Sequence, residues 1–335
     1  MQEALFYEKT DNDEVICRLC PQTCRLKPGQ TGNCRVRENV GGTLYTHVYN
    51  KVAAIGVDPV EKKPLYHFYP GMEIFSVGEV GCNLHCSFCQ NYGTSQCFAS
   101  DFGGFHEITP VQLVEKAQRG WHNIGIAYTY NEPFTFYEFM TDIARLAHDK
   151  GMKNVVVSNG YINPEPLSSL IPLIDAFNID LKSFDDSFYR KQVKGNLGPV
   201  LESLQIIARS GKHLEITNLV ITELNDGPEQ FEAMVKWISK ELGEKIPLHI
   251  SRYFPQYRLN LPPTPLENLH QLYTLAKKYL HHVYLGNVPD DYRSSTYCPN
   301  CGALLVEREH YRIKIIQQGF KGYCTECNTD VNILI

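Results

Sequence analysis

From residue 74 onward, short apolar runs alternate with longer segments whose apolar positions recur every three to four residues. The apolar runs predict strands at 74–80, 124–129, 154–158, 176–181, 214–220, 247–251 and 282–286. Amphipathic helices separate most of them. Thr109 followed by Pro110 supplies an N-cap and a proline at the first helical position. The segment 134–150 reads as a long helix that Gly151 stops, and 228–242 and 265–279 read similarly. Strands alternating with helices predict a parallel sheet with right-handed crossovers. About seven such strands fit a barrel or an incomplete barrel, with functional loops at the carboxyl ends of the strands.

The pattern differs at both ends. Residues 1–36 are cysteine-rich with little helical periodicity, and 43–70 alternate loosely between Pro and Gly punctuation, as short strands and turns do. The last 40 or so residues form a small cysteine-bounded module. The expected division is 1–72 as a metal-binding extension, 73–290 as the core and 291–335 as the terminal module. At 335 residues, 43% hydrophobic and 21% charged, the chain has the composition of a globular protein. Its net charge of −5 leaves no global basic excess for nucleic acid. No apolar run approaches the roughly 20 residues of a membrane helix. The acidic start, MQEALFYEKTDNDEV, lacks a signal pattern, so the expectation is a cytoplasmic protein without a membrane partner.

Cysteine changes the picture most. Eleven of the 12 cysteines fall into three clusters, and Cys97 reads as an ordinary reduced thiol. A disulfide framework fits poorly without an export signal; tight CxxC spacing points to metal or redox chemistry. In the central cluster, EVGCNLHCSFCQNYGTS, Cys82, Cys86 and Cys89 follow an apolar strand with C-x3-C-x2-C spacing. Three thiolates in one loop can hold three irons of a [4Fe–4S] cluster and leave the fourth iron open. A zinc site would need a fourth ligand, and His85 is the local candidate, awkwardly placed between two of the cysteines. Gly81 allows the tight turn from strand to loop.

CNLHCSFC resembles the signature of the radical S-adenosylmethionine (SAM) superfamily, including the aromatic Phe88 before the third cysteine. The resemblance implies an α/β fold with an incomplete, TIM-like barrel. It implies that Cys82, Cys86 and Cys89 hold a [4Fe–4S] cluster whose open iron chelates SAM. Reductive cleavage would then give a 5′-deoxyadenosyl radical that abstracts hydrogen from a substrate, and Phe88 would contact the adenine. Where the superfamily has a Gly-Gly-Glu-type segment for the SAM ammonium, this chain has Tyr130, Asn131 and Glu132 before Pro133. Glu132 can accept from an ammonium and Asn131 offers an amide; Asn131 also fits as an N-cap for helix 134–150. NIDLKSFDD resembles the Asp-x-Lys segment of glycyl-radical-enzyme activases. Asp180 and Lys182 would point the same way from one strand, where Lys182 could neutralise the SAM carboxylate or simply pair with Asp180. PLHISRYFP resembles a late activase strand, so His249 is a candidate for SAM ribose or methionine, with a structural histidine as the alternative. Ser158, Asn159 and Gly160 either line the site or make a turn.

Two cysteine quartets flank this core. Cys298, Cys301, Cys324 and Cys327 form two CxxC knuckles that can surround zinc tetrahedrally, as in a zinc-ribbon or rubredoxin-like module. Cys17, Cys20, Cys24 and Cys34 suit zinc or a second Fe–S cluster equally. Together with DPVEKKPLYHFYPG, VVVSNGYI and GNVPDDYRSSTYCPNCG, these features resemble AmmeMemoRadiSam-system radical SAM enzymes, often labelled pyruvate formate-lyase activating enzyme-like. That resemblance implies Memo-type and Amme-type partners and a low-potential electron donor. Three alternatives stand beside it: a glycyl-radical activase, a zinc-structured module that binds RNA or protein, and RNA modification by radical chemistry.

Overall fold

The computed structural model of the chain describes residues 1–335 apart from Trp121, Asp290 and Gln318. One position of the GNVPDDYRSSTYCPNCG segment, Asp290, therefore lies outside the described residues. Eight strands form the central sheet: β1 (Ala54–Pro59), β2 (Glu73–Gly78), β3 (Asn123–Tyr128), β4 (Lys153–Ser158), β5 (Ala176–Asp180), β6 (His213–Val220), β7 (Leu248–Arg252) and β8 (Val283–Gly286). Their order is β8-β7-β6-β5-β4-β3-β2-β1. All neighbours are parallel except β1 and β2, which are antiparallel. The seven expected strands are β2 to β8. The order has two free ends, so the sheet is open and not a closed barrel. The expected division at residue 72 leaves β1 on its N-terminal side, because the sheet recruits that strand across it.

The helices form where the apolar periodicity places them. Helix α1 (Pro110–Ala117) starts on a capping box, in which Thr109 Oγ1 accepts from the Gln112 amide and Gln112 Oε1 accepts from the Thr109 amide. Helix α2 (Tyr137–Asp149) buries Phe139, Met140, Ile143, Ala144 and Ala147, and Gly151 (φ +72°) ends its turn. Helix α3 (Pro228–Trp237) continues through a wider π turn, Ile238–Leu242, and α4 (Leu266–Ala276) is shorter than its pattern suggests. Strands β4 and β5 are buried on both faces, as a helix-covered parallel sheet requires.

The N-terminal segment has no core of its own. Val15, Leu26, Val36 and Leu44 join the same apolar cluster as Phe139 and Met140. A buried ion pair, Arg37 Nη2 to Glu138 Oε1 at 2.5 Å, fastens it to α2. The C-terminal segment differs. Its three-stranded antiparallel sheet (Thr296–Tyr297, Leu304–Glu309, Arg312–Ile315) covers a separate cluster of Leu305, Val306, Phe320, Val331 and Ile333.

The C-terminal segment is joined to the lower end of the sheet through polar groups. Arg308, fully buried, donates to the Tyr66 carbonyl at 2.6 Å and to Thr296 Oγ1 at 2.7 Å, with its guanidinium 4.3 Å from the Tyr66 ring centre. Glu215 accepts from the amides of Tyr66 and His67 and from the Nε2 atoms of His213 and His249, over 2.6–2.9 Å. Among the described residues, no helix is long and apolar enough to cross a membrane.

Candidate active site

The strand β2 ends at Gly78, and the chain turns through Gly81 into the cysteine loop. Gly81 has φ +87°, and a Cβ there would lie 2.5 Å from the Cys34 carbonyl oxygen, so the turn has room only for glycine. Cys82, Cys86, Phe88 and Cys89 all face one cavity of about 360 Å³. The Leu84 amide and Asn159 Nδ2 approach Cys82 Sγ at 3.4 and 3.6 Å, and Ser95 Oγ lies 3.2 Å from Cys89 Sγ. Burial pushes the Cys86 thiol up to about 11. A metal charge would reverse that, since thiolate ligands deprotonate on binding.

The rest of the lining comes from the carboxyl ends of the strands: Thr129, Tyr130 and Asn131 beyond β3, Ser158 and Asn159 at β4, Asp180 and Lys182 at β5, Thr217 and Leu219 on β6, Ser251 on β7 and Asn287 after β8. Asp58 of β1 lines the same space, so the sheet curls until its two edges share one cavity. Lys182 Nζ pairs with Asp180 Oδ2 at 2.9 Å; nearby carboxylate and thiol groups outweigh burial and hold its amine in the charged form. The pair is an ion pair, and both of its residues line the same cavity as the three cysteines.

His85 is turned away. Its Nε2 meets Asn33 Oδ1 at 2.9 Å and its Nδ1 lies 2.5 Å from Gln96 Oε1 and 3.0 Å from Arg35 Nη1. The triplet therefore has no local fourth protein ligand in His85. Three thiols lining one cavity, with polar contacts at the sulfurs of Cys82 and Cys89, fit a [4Fe–4S] cluster with one iron left for a ligand.

The sequence profile of the Radical SAM superfamily matches residues 79–238, a span that begins at this loop and carries the wall through α3. The chain belongs to the radical SAM superfamily. An uncharacterized protein of Methanocaldococcus jannaschii, MJ0808, is 44% identical over the full length of both chains. The pyruvate formate-lyase-activating enzyme of Clostridium pasteurianum is 25% identical over 54% of this chain and 77% of its own. Among solved structures, a radical SAM methyltransferase from Sphaerobacter thermophilus shares the fold, with a TM-score of 0.50, 17% identity and 71% of each chain covered. This radical SAM protein is thus an enzyme using SAM radical chemistry.

Within the radical SAM cavity, several expected residues take unexpected places. Tyr130 lines it in a left-handed conformation (φ +71°), and its hydroxyl donates to Asp58 Oδ2 at 3.0 Å. Asn131 also lines it, but its amide braces the loop: Nδ2 donates to the Glu79 carbonyl and Oδ1 accepts from Thr94 Oγ1. Asn131 caps no helix; Glu132 does, accepting from the Phe134 amide at 3.1 Å. Glu132 does not reach the cavity. It is fully buried behind Ser158 and Asn159, accepting from Ser158 Oγ at 2.8 Å and the Asn159 amide at 2.9 Å. Burial pushes its carboxyl up to about 7. Ser158 and Asn159 stand where a ligand contact from Glu132 was expected.

His249 is likewise absent from the cavity wall. Its Nε2 is held 2.6 Å from Glu215 Oε2, and its ring packs against Tyr66 and Tyr284. It shares a strand face with Ser251, two residues nearer the carboxyl end, and Ser251 is the residue that lines the cavity.

Sequence reasoning missed Asp58, Lys62 and Lys63. Lys63 is almost fully buried and donates to Asp58 Oδ2 at 2.7 Å and Ser76 Oγ at 2.5 Å. Burial alone would push the Asp58 carboxyl up; hydrogen bonds from Lys62 and Lys63 outweigh it and hold the group below the usual range. The available signal was the charged run Glu61-Lys62-Lys63 set between Val60 and Leu65, two residues that are buried.

The two quartets also form. The ligand atoms of Cys298, Cys301, Cys324 and Cys327 all lie within 4.8 Å of one another. Cys17, Cys20, Cys24 and Cys34 line a second, smaller pocket with Leu19, Leu26 and Asn83. Cys97 donates to the Phe98 carbonyl at 3.2 Å, outside both sites.

Proposed function

We propose that this enzyme abstracts a hydrogen atom from its substrate with a 5′-deoxyadenosyl radical generated in the 360 Å³ cavity. The observation that carries the reading is that Cys82, Cys86 and Cys89 line one cavity together with the Lys182–Asp180 pair. A bound [4Fe–4S] cluster would supply one low-potential electron for cleavage of the SAM sulfonium. The chain does the rest. Its three cysteines hold the cluster, and Lys182 and Asp180 present one charge of each sign to the methionyl carboxylate and ammonium. Phe88 offers a face for the adenine, and Ser158 and Asn159, fixed by Glu132, offer polar contacts in place of Glu132 itself. The apolar side chains of Val157 and Leu219 help to exclude water from a reactive radical.

Anaerobic reconstitution with iron and sulfide, followed by SAM and a strong reductant, tests this reading. The expected product is 5′-deoxyadenosine, lost in Cys86→Ala. An intact cluster with bound SAM and no deoxyadenosine under any reductant would overturn it.

The C-terminal quartet fits zinc. Its S···S separations of 3.5 and 3.6 Å match the edge of a tetrahedron of about 2.3 Å metal–sulfur bonds. Within this reading the terminal segment is a zinc-ribbon module, the chain acts in the cytoplasm, and it belongs to the AmmeMemoRadiSam subtype with Memo-type and Amme-type partners. Co-purification with such partners from cell extract tests the subtype. The activase reading is supported by the similarity to activating enzymes. It predicts a radical on a glycyl-radical protein after SAM cleavage.

A further inference from the structure

The three cysteine sites of this chain differ in how close their sulfurs come. Four thiolates around one metal at about 2.3 Å lie about 3.8 Å apart. A cubane holds its thiolates on four separate irons, so they stand apart by the breadth of the cluster. Among the described residues, which include every cysteine, only the C-terminal quartet brings three or more His, Cys, Asp or Glu ligand atoms within 4.8 Å of one another. The central triplet, which belongs to a cluster-binding superfamily, makes no such set. Neither does the N-terminal quartet, not even with three of its four sulfurs. Yet Cys17, Cys20, Cys24 and Cys34 converge, because all four line one pocket.

The pocket has the other features of a cluster site. Leu19 and Leu26 line it and keep it dry, and the Asn33 amide donates to Cys24 Sγ at 3.4 Å. The fully buried Arg37 contributes a cation to its wall. One residue separates it from the catalytic cavity. Asn83 lines the pocket, follows Cys82 in the chain, and accepts at Oδ1 from the same Asn159 amide that touches Cys82 Sγ. Its carbonyl receives Gln22 and Asn33, both from the N-terminal loop.

From this geometry we infer that Cys17, Cys20, Cys24 and Cys34 hold a second [4Fe–4S] cluster, adjacent to the SAM-binding one, while the C-terminal quartet holds a single zinc ion. The inference rests on the radical SAM reading for its central comparison, so the test separates the two. The full chain is purified anaerobically, as wild type and with Cys82→Ala, Cys86→Ala and Cys89→Ala combined, and iron, sulfide and zinc are counted beside Mössbauer spectra. The wild type should carry roughly eight irons and one zinc per chain, and the triple variant roughly four irons in a cubane spectrum with the zinc unchanged. A wild type with four irons and two zincs, and a triple variant with no iron, would overturn the second cluster and leave the first in place. No iron in the wild type would overturn both. Should the triple variant fail to fold, the wild-type ratio of iron to zinc still decides.

Discussion

The same strands carry two polar layers, and the layers are built on opposite terms. At the lower end, Glu215 has every lone-pair direction answered by two backbone amides and two imidazoles, and nothing in that cluster faces open space. At the carboxyl ends, Asp180, Lys182, Ser158 and Asn159 face a cavity large enough for a ligand. Strand β6 supplies both: Glu215 belongs to the lower layer, and Thr217, two residues on, lines the cavity. A saturated polar cluster stabilises a fold and joins its parts. A partly answered one leaves contacts for a ligand to complete, which is the arrangement a site needs.

Removing Glu215 should break that comparison most strongly. Glu215→Leu leaves two imidazoles and two buried amides without an acceptor, and the loss should be about 3–5 kcal/mol in denaturant unfolding. The C-terminal module should loosen with it, because the Tyr66 backbone that Glu215 anchors is also the acceptor for Arg308. SAM affinity of the protein that remains folded should stay within about twofold. Normal stability in this variant would show that the lower layer does no structural work.

The pattern of strands was legible because each apolar run is short and bounded, and all seven runs became strands of the large sheet. The cysteine triplet was legible because its spacing alone constrains the chemistry. Depth was not. His249 and Ser251 lie on one strand face, and a period of two tells which face a residue takes but not which layer. Lys63 was hidden for a related reason. In sequence it belongs to a charged run that looks solvated, and only the turn after β1, with Asp58 and Ser76 to receive it, draws it inside. Glu132 matched a family position in sequence, but the cap it forms for the following turn directs its oxygens to backbone amides instead of the cavity.

Glu132 stands between the two layers in character, and pH separates its roles. Its folded carboxyl is raised to about 7 by burial, against an ordinary value near 4.5. A raised carboxyl contributes stability that is full below pH 4.5 and is lost as pH rises through 7. The change across that window should be on the order of 3 kcal/mol. Denaturant midpoints at pH 5 and pH 8 should show that slope in the wild type and a flatter one in Glu132→Gln. Equal slopes would place the titration elsewhere.

Lys182→Ala sharpens the contrast from the cavity side. Asp180 is already more than a third exposed, so losing its partner leaves a solvated carboxylate, and stability should change by less than about 1 kcal/mol. SAM affinity should fall at least tenfold, the worth of a charge-assisted hydrogen bond of about 1.5–3 kcal/mol. Isothermal titration with iron content matched to wild type checks the affinity, and denaturant unfolding checks the stability. A large loss of stability with unchanged affinity would move this pair into the structural layer.

The smallest effect belongs to the residues that share a face of β7. His249→Gln keeps a donor for Glu215, so it should cost about 1–2 kcal/mol and leave SAM binding untouched. Ser251→Ala removes one hydroxyl from the cavity wall and should leave unfolding within about 0.5 kcal/mol of wild type. Its effect should fall instead on the affinity for SAM or substrate, by a few-fold. Two substitutions two residues apart on one strand face would then act on different observables, stability for the deeper and binding for the shallower. If both changed stability alone, the cavity wall at β7 would belong to the core, and the ligand contacts would come from the other strands that line the cavity.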